Sequence, residues 1–165
     1  MTGPPGGAPQ APGLVFAVAA DHNGVTMKKR LAQWLVSCGH TVLDLGVDRD
    51  DEVVDYPRLC AAVGRAVTGG SARFGLVVGG SGSGEVIACN KIRGIRASLC
   101  HTPFITEIAR ANNDANVMVV GAKVVEPEAA EGLLAIWLAT PFRGGRHQDR
   151  LDQIARLEQG DLLGA

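Results

Sequence analysis

The 165-residue sequence predicts an α/β fold, a parallel sheet with helices covering both of its sides. Three observations carry that expectation. Short apolar runs alternate with segments of helical spacing along nearly the whole chain. Most of these runs are continuously hydrophobic, as strands buried on both faces must be, rather than alternating between core and water. Glycine and proline punctuate many of the junctions.

The elements follow in order. Residues 14–19 form an unbroken apolar run of strand length. Residues 25–38 place Leu31, Trp34 and Leu35 at helical spacing, with Gly39 as the stop. A second short strand occupies 41–45. The helix over 56–67 is opened by Pro57, whose fixed φ suits a first turn, and ends before Gly69 and Gly70. The third strand, 74–78, runs into the glycine-rich segment 79–84, after which 86–91 reads as helical. Strands over 95–99 and 116–120 alternate with helices over 103–111 and 127–138. The last segment, 146–159, sets Leu151, Ile154 and Leu157 among charges, the pattern of an amphipathic terminal helix. Neither a repeat nor an interdomain linker interrupts this order. Residues 14–160 therefore read as one domain, preceded by a disordered Gly/Pro/Ala-rich tail over 1–13.

Composition narrows the function. A formal net charge of -1 gives no whole-chain attraction to nucleic acid or membrane, so anion recognition must be local. Aromatic residues at 4% leave little material for stacking on bases. Cys38, Cys60, Cys89 and Cys100 have neither C-x-x-C pairing nor metal-ligand spacing with histidine, which favours reduced, mostly buried thiols and a cytoplasmic protein over a disulfide or zinc site. No stretch reaches the length of a membrane span, and the first residues lack the basic-then-apolar order of a signal peptide.

In open parallel sheets ligands bind beyond the carboxyl ends of the strands. Two segments fall there: Asp21, His22, Asn23 and Gly24 after the first strand, and the run Gly79, Gly80, Ser81, Gly82, Ser83, Gly84 after the third. Glycines alternating with small hydroxyls let backbone N–H groups close on an anion at a helix N-terminus. Spacing excludes three familiar motifs. No Lys-Ser/Thr follows Gly84, as a phosphate-binding Walker loop requires. The run follows the third strand rather than the first and lacks the third glycine of a dinucleotide fingerprint. A nucleophile elbow needs glycine where Ser83 stands. An anion-binding turn remains, against the plainer alternative of a flexible turn without ligand. Glu85 at its end is either a proton-transfer group or an acidic residue favoured by the helix dipole. Asp21 and His22 read equally as a helix cap with a surface imidazole. His101, directly after the fourth strand, reads equally as a ligand group or as the neighbour of Thr102 capping a helix. Arg146 and Arg150 stand four apart and read either as a solvated charged face or as a pair of guanidinium forks gripping phosphate. The polar stretch 112–116, Asn113 included, is a binding loop or only a turn.

Taken together, several runs resemble the ribose-5-phosphate isomerase B family, which includes the galactose-6-phosphate isomerase subunits. These are Asp21-His22-x-Gly24, Asp55-Tyr56-Pro57, Gly80-Ser81-Gly82-x-Gly84, Ala88-x-Asn90-Lys91, Gly94-Ile95-Arg96-Ala97, Cys100-His101, Asn113-Asp114-Ala115-Asn116 and Gly144-Gly145-Arg146-His147-Gln148-x-x-Arg150, in order from about Phe16 to Ile154. The resemblance implies a Rossmann-like three-layer α/β/α sandwich with a five-stranded parallel sheet, and a homodimer or dimer of dimers with sites at the interface. It implies cofactor-free, metal-free aldose–ketose isomerisation of a phosphorylated sugar, most simply ribose 5-phosphate to ribulose 5-phosphate. Other sugar phosphates (hexose 6-phosphate, tetrose phosphate or allose 6-phosphate) stand as alternatives, as does a binding module without turnover.

The resemblance also implies roles. Many members carry a catalytic cysteine at the position of Gly79; this chain is similar instead to an actinobacterial-type branch whose base stands at Glu85. Ser81 and the N–H groups of Gly80, Gly82, Ser83 and Gly84 would stabilise the enediolate oxygen, and His101 would assist ring opening. Asp21, Tyr56 and Asn113 would hold sugar oxygens. His22, Arg146 and Arg150 would take the phosphate, with His147 beside them. Asp149 departs from the basic residue common at its place, which weakens phosphate attraction or alters substrate preference.

Overall fold

A computed structural model describes residues 13–164 of the chain. Apart from Gly13, the expected disordered tail lies outside the described residues. In chain order the elements are β1 (Val15–Ala20), α1 (Val25–Ser37), β2 (Thr41–Asp44), α2 (Tyr56–Thr68), β3 (Phe74–Gly79), α3 (Ser83–Cys89), β4 (Ala97–Leu99), α4 (Pro103–Ala111), β5 (Val117–Gly121), α5 (Pro127–Ala139) and α6 (Arg146–Glu158). The strands form one sheet in the order β2-β1-β3-β5-β4, and every pairing is parallel.

Alternate side chains of the central strands feed two cores. Phe16, Val18, Leu76, Val78, Met118 and Val120 pack with Leu31 and Leu35 of α1 and with Leu134 and Trp137 of α5. Ala17, Ala19, Val77, Val117 and Val119 point to the other side, against Leu59, Cys60 and Val63 of α2 and Cys89 of α3. Both faces of β1, β3 and β5 are therefore buried, which is why these strands are apolar at every position. The expected Rossmann-like sandwich is the fold.

Two boundaries differ from expectation for local reasons. The fourth strand is confined to Ala97–Leu99 because its entrance is diverted into side-chain bonds: the Arg96 N–H donates to Asn116 Oδ1 at 2.8 Å. The helix after the glycine run begins at Ser83, not at residue 86, because Gly82 adopts φ 79° and turns the chain directly into α3.

One buried charge braces the edge of the sheet. Lys28 on α1 is fully buried, with Nζ at 2.8 Å from the Asp44 carboxylate, 2.8 Å from the Val47 carbonyl and 3.4 Å from Asp48 Oδ1. An ammonium taken out of water needs such partners, and here they tie down the start of the β2–α2 connection. By contrast α6 lies lightly on the body. Leu151 is its buried residue; Ile154 and Leu157 stay 45% and 50% exposed. The Glu158 carboxylate anchors the far end by accepting the Gly94 N–H at 3.0 Å. No helix among the described residues is long and apolar enough to cross a membrane.

The strand order sets where a ligand can enter. From β1 the chain crosses to β2 on one side; from β3 it crosses toward β4 on the other. The crevice between the carboxyl ends of β1 and β3 is the topological switch point of this sheet, the usual ligand position in open α/β folds.

Candidate active site

The β1 side of the crevice is a closed turn. Asp21, 6% exposed, has its carboxylate held by the Asn23 N–H at 2.9 Å and the Asn23 side-chain amide at 3.1 Å, while its carbonyl accepts the Gly24 N–H at 3.0 Å. Gly24 is needed for this approach: a Cβ there would stand 2.5 Å from the Val78 carbonyl oxygen. His22, half-buried, accepts the Val54 N–H at Nδ1 at 3.4 Å, which links this turn to the segment braced by Lys28.

The β3 side is the glycine run. The Gly79 and Gly80 carbonyls accept the N–H groups of Ala122 and Lys123 at 2.8 and 2.9 Å, so the run is stitched to the exit of β5. The Ser81 hydroxyl accepts the Ser83 N–H at 3.2 Å, and both serines are exposed. Tyr56, the first residue of α2, lays its ring and hydroxyl against Gly84 so closely that a Cβ at Gly84 would lie 2.5 Å from the phenol oxygen.

Glu85 is the third residue of α3 and only 4% exposed. Its carboxylate rests on the bare Cα of Gly79; a Cβ built on that glycine would overlap the carboxylate itself. Burial pushes the Glu85 pKa upward. The residue's own backbone N–H pulls it down in part, and the nearby Asp21 charge pushes it up again. A carboxyl held above its ordinary range in a crevice is suited to taking and returning a proton near neutral pH.

The same shift makes a stability prediction. A carboxyl whose folded pKa is raised favours the fold while protonated, and this contribution is lost as pH rises through the folded pKa. Glu85→Gln, which never ionises, should melt close to the wild type in mild acid and increasingly above it toward pH 8. Thermal melts of both proteins across that range check the sign; a gap that stays constant would contradict it.

Below Glu85 sit Cys60 and Cys89, both fully buried, with the Cys60 thiol 3.6 Å from the Glu85 carbonyl oxygen. The Cys60 hydrogen bond, then burial, hold the Cys89 thiol far above the range in which a thiolate forms. His101 follows β4 and accepts the Gly121 N–H at Nε2 at 3.2 Å. That bond leaves the proton on Nδ1, and burial lowers the imidazole pKa, so the ring is a neutral donor. Among the described residues no group of three or more His, Cys, Asp or Glu is placed to hold a metal ion.

The structure therefore gathers Asp21, His22, Tyr56, Gly80, Ser81, Gly82, Ser83, Gly84 and Glu85 around one crevice, with His101 beside it through Gly121 and the Ser81 carbonyl. It does not bring Asn113, Arg146, His147 or Arg150 there within one chain. Asn113 lies before β5, at the amino edge of the sheet, where its carbonyl accepts from Arg96 at 3.1 Å. Arg146 and Arg150 are exposed at the start of α6, which begins near the C-terminus of α4, where the Arg143 N–H donates to the Ala111 carbonyl at 2.9 Å. Two contributors were not legible beforehand. Asn23 clamps Asp21, and Val54 holds His22; the first lay in a quoted motif as an unassigned position, the second carried no signal at all.

Residues 16–154 match the Ribose/Galactose Isomerase family. The chain is 38% identical over 144 residues to ribose-5-phosphate isomerase B of Escherichia coli, covering 87% of this chain and 96% of that protein. It is 32% identical over 145 residues to the D-erythrulose-4-phosphate isomerase of Pectobacterium atrosepticum, at 88% and 95% coverage. Among solved structures, ribose-5-phosphate isomerase B of Clostridium thermocellum superposes with a TM-score of 0.87 at 35% identity, over 89% of this chain and 99% of that one. Ribose-5-phosphate isomerase B of Mycoplasma genitalium with bound ribulose-5-phosphate gives 0.86 at 31%, over 90% and 99%. Sequence and fold agree across almost the full length of both partners in each comparison, and on that basis this chain belongs to the ribose/galactose isomerase family.

Proposed function

We propose that this protein interconverts ribose 5-phosphate and ribulose 5-phosphate through an enediolate, with Glu85 as the base. The observation that carries the reading is the buried Glu85 carboxylate resting on Gly79 at the switch point, beside a run of backbone donors. Glu85 removes the proton from C2 of the open-chain aldose and returns it to C1. The charge that develops on the oxygen meets the Ser81 hydroxyl, whose oxygen already takes the Ser83 N–H, and the N–H groups of Gly80, Ser81, Gly82 and Gly84, a donor set worth roughly 3 kcal/mol per well-placed bond. Asp21 and Tyr56 hold sugar hydroxyls. His101, with Nε2 occupied by the Gly121 N–H and its proton on Nδ1, keeps that proton and gives the ring oxygen a hydrogen bond as the ring opens, while the proton leaving O1 passes to the ring oxygen. The step shifts two protons within the substrate, one from C2 to C1 through Glu85 and one from O2 to O1, and exchanges no electrons with an outside partner, so it asks for no redox cofactor.

The phosphate goes to His22 together with Arg146, His147 and Arg150. Since α6 lies away from the crevice of its own chain, these last three and Asn113 complete the crevice of a second copy in a homodimer. Arg146→Ala should raise KM for the phosphorylated sugar by about tenfold or more while leaving the unphosphorylated analogue nearly unchanged. Equal effects on both substrates would remove the phosphate role.

The substrate is tested by a panel of four-, five- and six-carbon aldose phosphates with product analysis. Ribose 5-phosphate should give the highest kcat/KM. A relative named for D-erythrulose 4-phosphate makes the four-carbon arm decisive, and a clear preference for it would overturn the five-carbon assignment.

A further inference from the structure

Asp114 breaks a local rule. It follows the end of α4 with φ 40°, in the left-handed region where glycine would sit without strain. Its side chain explains the choice. One carboxylate oxygen is 2.8 Å from Arg110 on α4; the other is 3.3 Å from Arg96, before β4. Arg96 also donates to the Asn113 carbonyl at 3.1 Å and to the Asp114 carbonyl at 2.9 Å, and Arg110 donates to the Ala115 carbonyl at 2.7 Å. The three residues 113–115 are thus gripped from both sides by two guanidinium groups.

The grip is costly. Arg110 is 5% exposed, wedged over the rings of Phe74 and Trp137 at 4.8 and 5.4 Å, and its Nε has no partner among the described residues. An apolar side chain with glycine at 114 would close the same helix end with less desolvation and less strain. Meanwhile Asn113, whose backbone carbonyl is fixed, presents an exposed side chain that makes no hydrogen bond among the described residues, over a groove shared with Ile154 and Leu157 of α6. Strain held by surrounding contacts at a presented polar group is the mark of a positioned functional side chain.

We propose that Arg96, Arg110 and Asp114 are positioning residues that present Asn113 outward to the crevice of a second copy of this chain. The inference rests on the sugar-binding role given to Asn113 above. The clamp sets the angle at which the amide leaves the amino edge of the sheet, so loosening it lowers activity at the other copy's site, not at its own.

Subunit mixing tests this. Asp114→Gly removes the carboxylate and suits the left-handed backbone; it should melt below the wild type because Arg110 loses its counter-charge and, assayed well below its own melting temperature where circular dichroism shows it folded, lose about tenfold or more in kcat/KM. Asn113→Ala should show a loss at least as large. Denaturing Asp114→Gly together with Glu85→Gln, then refolding them as a mixture, should recover about one quarter of wild-type activity, because each hybrid dimer contains one site with both faults and one with neither. No recovery above the sum of the two parents would overturn the clamp's action across copies. Full activity of Asp114→Gly with an impaired Asn113→Ala would overturn the clamp alone. Full activity of Asn113→Ala would instead remove the sugar-binding role on which the inference stands.

Discussion

Glu85→Gln should lower kcat by about a thousandfold while leaving substrate affinity within a few fold. The amide keeps the size of the carboxyl and its place over Gly79, but cannot take the proton from C2. Loss of fold is separable from loss of chemistry here, because the same substitution removes a buried ionisable group and is expected to stabilise the protein at neutral pH and above. A coupled assay for the ketose phosphate gives kcat, and calorimetric titration with ribose 5-phosphate gives the affinity. Near-normal turnover would take the base role away from Glu85. A large loss of affinity with kcat retained would make it a binding group.

Gly79→Ala comes next in size. Its Cβ would fall on the Glu85 carboxylate, the far end of a flexible side chain, so the carboxylate swings away and α3 stays. A displacement of about an ångström at the reacting group is enough for a hundredfold fall in kcat. The displaced carboxyl also gains water, and its pKa should drop toward the ordinary range, carrying the acid limb of the kcat profile to lower pH. Wild-type kcat with an unmoved acid limb would show that the volume over Gly79 is not the base's position. The geometry gives a physical reason for glycine at this place. A side chain rising from the end of β3 and the carboxylate reaching down from α3 compete for one volume, and glycine at 79 leaves that volume to Glu85.

How much of this was legible in the sequence depended on whether a residue acts through its neighbours in the chain or through space. Strands buried on both faces announce themselves by unbroken apolarity, and so the cores around Val18, Val77 and Val119 could be placed in advance. The post-strand position of Asp21 and of residues 79–85 followed from the same alternation. The abrupt start of α3 did not, since it depends on the sign of one φ at Gly82. Nor did the buried state of Lys28 or Arg110, because a cationic residue on a helix reads as solvent-facing until its acidic partner, 16 residues away for Asp44 in the first case, folds back upon it. Asn113 stood in a quoted motif, yet only the fold reveals that it lies at the opposite edge of the sheet from Glu85.

The pairing of β1 with β3 bears on how the substrate range of such a protein can be altered. The two turns that floor the crevice hang from strands bonded to each other in continuous register up to Ala20 and Val78, and Gly24 presses on the Val78 carbonyl. A floor of that kind behaves as a fixed template, because any enlargement would have to part a central ladder of the sheet. Adaptation to a longer or shorter sugar must then be sought in the side walls. On its own chain the wall to vary is residues 45–55, held at one end by Lys28 and touching His22 through Val54. A library confined to that segment would sample new substrates while sparing the reacting groups.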